Sequence, residues 1–228
     1  MKSKFTGCLL GAAVGDALGA FIEGLNEFNY EYWIKQVDRA KCLIYTDDTH
    51  MTIGVAESLI KNEGFNGEGM ANTFIKNYEE EPYRGYGPGP PKVFKLIKSG
   101  KTWLEASKEI YPEGSFGNGA AMRIAPVALL YFNNLNKLKE VVYWSSHITH
   151  AHKLGKEGAI LQAYAITLAL KSNPKNGLKE EEFVNELIEF VKSEIYKEKL
   201  YRIIRLLRKP FDKKAIIKQL GVGIEAFN

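Results

Sequence analysis

Residues 7–23 read GCLLGAAVGDALGAFIE, and the spacing of the glycines in this segment is that of a helix. Glycine recurs every four residues, at positions 7, 11, 15 and 19, which places all four along one side of an α-helix. Because glycine has no Cβ, that side is a bare groove that lets another helix or a ligand approach the backbone closely. The segment therefore predicts a buried helix.

The residues before this segment resemble the start of a secretory signal peptide, because MKSK precedes an apolar run. The run extends for only about 11 residues before Asp16 interrupts it, which is too short to cross a bilayer. We expect the segment to belong to the mature protein, and we expect no membrane association.

Helical periodicity continues along most of the chain. Helices are predicted over residues 4–22, 48–62, 68–80, 90–99, 102–110, 118–132, 136–147, 155–171 and 179–207. Strand patterns are nearly absent, since LIY at 43–45 is too short to count. Two glycine-rich loops, RGYGPGPP at 84–91 and EGSFGNGAAM at 113–122, interrupt the pattern. We predict an all-α fold, with one compact multi-helix domain over residues 1–228.

The composition favours a soluble globular protein, with 45% hydrophobic and 25% charged residues among 228. The net charge of +4 is mild and the basic residues alternate with glutamates, so there is no strong nucleic-acid signal. The two cysteines, Cys8 and Cys42, form no CxxC pattern. We therefore expect a reduced, cytoplasmic protein, and we expect it to be monomeric.

YTDDTHM at 45–51 places two adjacent carboxylates, Asp47 and Asp48, immediately before a helical run. One interpretation is a helix N-cap, because Asp and Thr oxygens accept from the unpaired N–H groups of a first turn. A cap needs only one oxygen, however, and neighbouring like charges repel. The second interpretation is a site for a hard cation held by oxygen ligands.

The segment GSFGNGAAMRIAP, beginning at Gly114, allows two interpretations as well. Its glycines let backbone N–H groups converge on an anion in front of a following helix, as in a phosphate-binding loop. Without the GK[ST] ending or a preceding strand it is also compatible with an ordinary turn. We expect Arg123, in an apolar stretch, to pair with a structural carboxylate.

Two further residue types are candidates for chemistry. His147 and His150 lie one helical turn apart, a spacing found in metal sites, but no acid partner is evident, which favours a capping or substrate-contacting histidine. Glu23 ends the first predicted helix, where the helix dipole disfavours an acid. It is either a solvated surface residue or a catalytic acid facing the pocket of Asp47 and Asp48.

The order of these segments resembles the ADP-ribosylglycohydrolase family, which includes the dinitrogenase-reductase-activating glycohydrolase. The segments are GCLLGAAVGDALGAFIE, YTDDTHM, YRGYGPGP, SFGNGAAMRIAPVALL and THAHKLGKEGAILQAYA, within roughly residues 5–170. TDDT and GNGAAMR are the most specific of them. The resemblance implies a compact all-α hydrolase that cleaves the N- or O-glycosidic bond between ADP-ribose and a protein side chain or small acceptor, using two Mg²⁺ or Mn²⁺ ions.

The resemblance also assigns roles to individual residues. Thr46, Asp47 and Asp48 match half of a binuclear metal site, and Glu23 matches an acid at the substrate ribose that takes part in catalysis. The loop that holds the diphosphate of ADP-ribose corresponds to Gly114, Ser115, Phe116, Gly117, Asn118 and Gly119. His150 matches a histidine on the pocket wall.

One departure from the family pattern concerns the C-terminus. Family members supply further metal ligands from a GGDTDT element, which this sequence lacks. The final residues, LGVGIEAFN at 220–228, resemble a segment that precedes that element, so we expect the domain to be incomplete at its C-terminus. Two alternatives to an enzyme therefore stay open: an ADP-ribose-binding module or inactive relative, and a structural protein, since some lens crystallins resemble this family.

Overall fold

The structure is a computed structural model that describes residues 1–25 and 29–221. Within those ranges the chain is helical and forms no strand, which confirms the predicted all-α fold as one compact domain. The α-helices there are α1 (Lys2–Gly19), α2 (Tyr30–Arg39), α3 (Asp47–Lys61), α4 (Gly67–Glu80), α5 (Gly89–Lys98), α6 (Ala106–Ile110), α7 (Ala125–Tyr131), α8 (Leu135–His147), α9 (Lys153–Lys171), α10 (Glu180–Phe190), α11 (Glu194–Leu207) and α12 (Lys213–Leu220). Most of the C-terminal segment 220–228 lies outside the described residues.

Two predicted helices are each divided in the structure. The predicted helix 118–132 consists of a 3-10 helix at Asn118–Ala120, a turn, and then α7. Pro126 lies in the first turn of α7, the part of a helix that tolerates the missing proline N–H, so α7 starts only at Ala125. The predicted helix 179–207 breaks into α10 and α11, because the backbone is extended at Val191.

Two short helices, α2 and α12, were not predicted from the sequence. Both begin at a polar cap: Asn29 accepts from the Tyr32 N–H, and Asp212 accepts from the N–H groups of Lys214 and Ala215. Neither helix contains a fully buried residue.

The main hydrophobic core lies between α3, α4, α7, α8 and α9. Its fully buried side chains include Met51, Phe74, Ile124, Leu138 and Val141. A second cluster joins α10 and α11 to the other side of α9, with Val184, Leu187, Ile188, Leu200 and Ile204 buried. Helix α9 therefore lies between two packed layers. Its residues line two separate cavities, one beside α8 and one beside the loop at 116–118.

Helix α1 is not buried in the way that its glycines predict. A Cβ built at Gly7, Gly11 or Gly15 would meet no atom of the described residues within 4 Å, and Ala17 is the buried residue of this helix. α1 packs on α3, α7 and α9 through its other side, so the prediction of a buried glycine groove is wrong for residues 1–25 and 29–221.

No helix in the described part of the chain is both long enough and apolar enough to cross a lipid bilayer.

Candidate active site

The N-terminus of α3 is capped by Asp16, an acid on α1. Asp16 Oδ2 accepts hydrogen bonds from the backbone N–H groups of Thr46 at 2.9 Å and Thr49 at 3.0 Å. The hydroxyl of Thr46 donates to Oδ1 at 2.6 Å and that of Thr49 donates to Oδ2 at 2.5 Å. Asp16 therefore satisfies the Thr49 N–H in the first turn of α3, while the Asp47 carboxylate accepts from its own backbone N–H.

Sequence reasoning did not single out Asp16. The available signal was that Asp16 is the charge that interrupts an apolar, glycine-rich helix. A partly buried acid in such a segment requires hydrogen-bond donors, and a pair of threonines at a helix start can provide them.

Asp47 and Asp48 are the first two residues of α3, and Asp47 is only 8% exposed. Burial, followed by the negative charges of Asp48 and Glu23, raises the pKa of Asp47 to about 7. Burial and then Asp16 and Glu23 raise the pKa of Asp48 to about 6. Among residues 1–25 and 29–221, no basic side chain forms an ion pair with either acid. A bound cation would relieve this repulsion.

The oxygen donors here match hard divalent cations such as Mg²⁺ and Mn²⁺ in kind. The number of ligands is too small for a complete metal site. In the described part of the chain, no three His, Cys, Asp or Glu side chains come together to hold a metal ion. Thr46, Asp47 and Asp48 can therefore supply only part of a coordination shell.

Glu23 lies in the turn after α1, not at its end. The helix stops at Gly19, three residues before the predicted boundary, and the Glu23 N–H donates to the Gly19 carbonyl at 3.0 Å. The Glu23 side chain is exposed, and its charge contributes to the raised pKa of both Asp47 and Asp48. The structure thus places Glu23 in the region of the two aspartates, and its catalytic role stays a prediction.

The loop after α4 forms a wall of this region. A Cβ at Gly85 would lie 3.9 Å from Asp47 Oδ1, and the φ of +85° there favours glycine. Arg84 holds the loop in place, since it pairs with Glu81 and donates to the Tyr45 carbonyl. The glycine at 85 therefore allows backbone to pass close to the aspartates.

The glycine-rich loop packs against residues 150–152, and two of its glycines are required for that contact. Gly114 has φ +82°, and a Cβ there would overlap the backbone of His152. A Cβ at Gly119 would overlap the His150 ring. At Gly117, by contrast, it would lie an ordinary 3.5 Å from His150 Nε2. Packing therefore requires glycine at positions 114 and 119, whereas a Cβ at Gly117 would make only ordinary van der Waals contacts.

The remaining loop residues are also placed by the structure. Ser115 Oγ accepts from the Gly117 N–H at 3.3 Å, and the partly exposed Phe116 ring contacts His152. Asn118 begins the three-residue 3-10 helix. The expected long helix behind the loop is therefore wrong, and an anion here would depend on backbone N–H groups and not on a helix dipole.

Arg123 is fully buried, but the predicted carboxylate partner is wrong. Its guanidinium donates to Thr149 Oγ1 at 2.8 Å and to the Ser145 carbonyl at 3.0 Å. It also lies 4.8 Å above the Phe74 ring. Burial lowers the pKa of Arg123 to about 9, so it remains a cation at neutral pH.

The bond from Arg123 to Thr149 leaves the Thr149 hydroxyl proton free to point at His150. Because arginine can only donate, the Thr149 oxygen accepts, and its own proton is available to His150 Nδ1 at 2.8 Å. Burial, with the charge of Arg123, lowers the pKa of His150 to about 3, so the ring is neutral. When Thr149 donates to Nδ1, the single N–H of the ring is at Nε2, which faces Gly117 and Gly119 of the loop.

The two histidines do not form a metal site. His147 Nε2 lies 2.8 Å from the Leu104 carbonyl, and its Nδ1 is 2.7 Å from Lys156 Nζ. Both ring nitrogens are occupied, which leaves none for a shared ion with His150. The capping or substrate-contacting role that the sequence favours stays a prediction.

The neutral state of His150 predicts a specific pH dependence of stability. Its pKa is lowered in the folded state from the ordinary 6.5, so this group removes stability as pH falls below about 6.5. At pH 5 the loss is about 2 kcal/mol. We expect the free energy of unfolding of His150→Asn, measured by urea denaturation, to fall less between pH 7 and pH 5 than that of wild type. Equal pH dependence would contradict the buried neutral ring.

Comparison with known proteins shows the family of this chain. Residues 1–227 match the family description "ADP-ribosylglycohydrolase". The ADP-ribosylhydrolase ARH3 of Xenopus tropicalis is 36% identical over 99% of this chain and 71% of its own length, and that of Homo sapiens is 31% identical over 99% and 70%. The chain belongs to the ADP-ribosylglycohydrolase family, which confirms the resemblance seen in the sequence.

Two more distant similarities extend the comparison. The ADP-ribosyl-[dinitrogen reductase] glycohydrolase of Rhodospirillum rubrum is 31% identical over 68% of this chain and 53% of its own length. A solved structure titled ADP-ribosylglycohydrolase-related protein complex has a TM-score of 0.64, at 24% identity, over 87% of this chain and 66% of that one. The latter supports the fold alone.

Proposed function

We propose that this protein is a metal-dependent hydrolase that cleaves the glycosidic bond between ADP-ribose and a protein side chain or small acceptor. The observation that carries the proposal is the cap supplied by Asp16. With Asp16 capping Thr49, Asp47 and Asp48 remain adjacent, partly desolvated acids with no basic partner among the described residues. Membership of the family and the names of the relatives support the reaction class.

The residues of the chain divide the work as follows. Thr46, Asp47 and Asp48 would hold Mg²⁺ or Mn²⁺ together with ligands that the described residues do not include. When bound, the ions would clamp the ribose hydroxyls and polarise the anomeric region. Glu23 would accept a proton from the attacking water or stabilise the oxocarbenium-like ribose, as carboxylates do in other glycoside hydrolysis.

The glycine-rich loop would bind the diphosphate. The donors would be the backbone N–H groups of the loop that are not already bonded, as the Gly117 N–H is to Ser115 Oγ, together with the Nε2–H of His150. Arg123 does not touch the ligand in this scheme. It holds Thr149, which in turn holds the histidine with its N–H toward the loop.

The direct test is release of ADP-ribose by the full-length protein. We would use ADP-ribosyl-arginine, an ADP-ribosyl-serine peptide and acetyl-ADP-ribose as substrates, each with Mg²⁺ and with Mn²⁺. Turnover of at least one substrate that stops on chelation is the expected result. A protein inert on all three would contradict the proposal.

A second candidate is an ADP-ribose-binding module without turnover. The observation that favours it is the incomplete donor set for a metal ion among the described residues. Such a module would bind ADP-ribose through the loop 114–119 but would not release ADP-ribose from any of the three substrates.

We expect Mg²⁺ or Mn²⁺ to raise the thermal stability of the full-length protein, because an ion that binds only the folded state stabilises it. At a concentration roughly 100-fold above the dissociation constant the gain is about 2.7 kcal/mol. Asp47→Ala should remove the metal-dependent shift of the melting temperature, whereas Asp38→Ala, at an exposed acid of α2, should keep it. A melting temperature indifferent to chelation in wild type would exclude the metal site.

We expect Gly117→Val to abolish binding of ADP-ribose and to leave the fold intact. The backbone at Gly117 has φ −58° and ψ 167°, which valine adopts without strain, and a Cβ there meets no atom closer than 3.5 Å. The added methyl groups would fill the space where the phosphates approach. Calorimetry with ADP-ribose measures this, and Gly11→Val on the open side of α1 is the control. Unchanged affinity in Gly117→Val would exclude this loop as the diphosphate site.

A further inference from the structure

A cavity of about 470 Å³ lies beside α9, between α8 and the connection from α10 to α11. Four lysines line it: Lys139, Lys153, Lys156 and Lys192. We call this space the lysine cavity. It contains none of the residues of the loop 114–119, and nothing in the proposed reaction uses it.

The acid in the wall of the lysine cavity does not neutralise these lysines. Glu157 accepts hydrogen bonds from the backbone N–H groups of Lys192 at 3.1 Å and Ser193 at 2.7 Å, at the start of α11. Among residues 1–25 and 29–221, none of the four lysine side chains forms an ion pair. The cavity therefore carries a positive charge that the described part of the protein leaves uncompensated.

Lys156 is the most unusual of the four, because it is only 4% exposed. The Leu104 carbonyl can only accept, so His147 carries its proton at Nε2, and its Nδ1 accepts from Lys156 Nζ at 2.7 Å. A neutral imidazole does not compensate a buried ammonium group. Burial accordingly lowers the pKa of Lys156. A buried cation without a counter-ion is costly, and proteins usually pair it.

The aromatic rings of the lysine cavity are already covered by these cations. Lys156 Nζ lies 3.8 Å from the centre of the Tyr143 ring, and Lys139 Nζ lies 4.3 Å from that of Phe190. Phe190 is also stacked on Tyr164 at 3.7 Å, so both of its faces are occupied. The cavity thus offers positive charge and little free ring surface, which suits an oxyanion better than a flat aromatic ligand.

We propose that the lysine cavity binds a small multivalent oxyanion of the phosphate or pyrophosphate type, with Lys156 as the buried cation and Lys139, Lys153 and Lys192 around it. The anion supplies the counter-charge that Lys156 lacks. This site is separate from the loop 114–119 and does not depend on the proposed hydrolase activity.

The test is calorimetric titration of the full-length protein with inorganic pyrophosphate at low salt. Lys156→Met keeps the length of the side chain and removes the charge, and we expect it to weaken binding at this site at least tenfold. The substitution also leaves His147 Nδ1 without its donor, so the melting temperature is measured alongside to verify the fold. Lys171→Met, at the exposed end of the same helix, is the matched control and should bind as wild type does.

Three controls make the result decisive. Lys192→Ala removes an exposed cation of the cavity and should weaken binding without affecting the fold, which covers the case in which Lys156→Met fails to fold. Gly117→Val should retain pyrophosphate binding in the lysine cavity even though it loses ADP-ribose. Lys156→Met should retain ADP-ribose binding, so failure here is distinguishable from failure of the proposed function.

Pyrophosphate binding that is lost or weakened in Lys156→Met and Lys192→Ala, and retained in Gly117→Val and Lys171→Met, supports the proposal. A wild-type protein that binds no pyrophosphate overturns it. Binding that is unchanged in Lys156→Met and Lys192→Ala overturns it too, because the anion would then occupy another place.

Discussion

Glu23→Gln is expected to slow the release of ADP-ribose by about 10²–10⁴-fold, a barrier increase of about 3–5 kcal/mol, while leaving ADP-ribose affinity unchanged. Glutamine keeps the size of the side chain but can neither take a proton from water nor stabilise a positive ribose. Because Glu23 is exposed in a turn and its N–H bond to Gly19 involves only backbone, the substitution should not disturb the fold.

The measurement is single-turnover release from whichever of the three substrates the wild type accepts, with ADP-ribose binding followed in parallel. Glu31→Gln, at an exposed acid in the first turn of α2, is the matched control and should turn over as wild type does. A Glu23→Gln protein with wild-type turnover would remove Glu23 from the mechanism and return it to the class of solvated surface acids.

Asp16→Ala should destabilise the protein by about 3 kcal/mol. The substitution removes the acceptor for two backbone N–H groups and two hydroxyls at the start of α3. The estimate combines the usual loss of a helix cap with the cost of leaving partly buried donors unsatisfied. Asp16→Asn keeps one carbonyl oxygen that can face Thr46 and Thr49, so we expect it to recover most of the loss.

Urea denaturation of the three proteins measures this series, and Asp38→Ala is again the control for removing an acid. The ordering of stability should be wild type, then Asp16→Asn, then Asp16→Ala. If Asp16→Ala lies within about 0.5 kcal/mol of wild type, as most surface substitutions do, α3 would have to be capped in another way.

Sequence reasoning predicted most of the fold because helical periodicity is a local property. The helices at 48–62, 68–80 and 136–147 agree with α3, α4 and α8 to within a residue at most of their ends. The breaks that were missed have short-range causes that compete with periodicity. Pro126 is tolerated only in the first turn of a helix, so α7 starts at Ala125. The extended backbone at Val191 separates α10 from α11.

The candidate site was predictable as a set of residues but not as a set of contacts. The order of the motifs indicated Asp47, Asp48, Glu23 and His150, and the charge of Glu23 contributes to the raised pKa of both aspartates. The residues that position these side chains were not predicted, because their partners are distant in the chain. Asp16 reaches α3 across 30 residues, and Arg123 reaches Thr149 across 26. Periodicity carries no information about such pairs.

The cap from Asp16 also constrains the order in which the molecule folds. A helix cap is usually supplied by the residue at the helix start, so it forms as soon as the helix does. Here the cap closes a loop of 30 residues, and the cost of closing that loop must be met before the bond stabilises anything. The first turn of α3 is therefore completed only when α1 docks. We therefore expect φ-values near zero for substitutions at the Asp16 cap, with the crowded pair Asp47 and Asp48 completed after α1 docks.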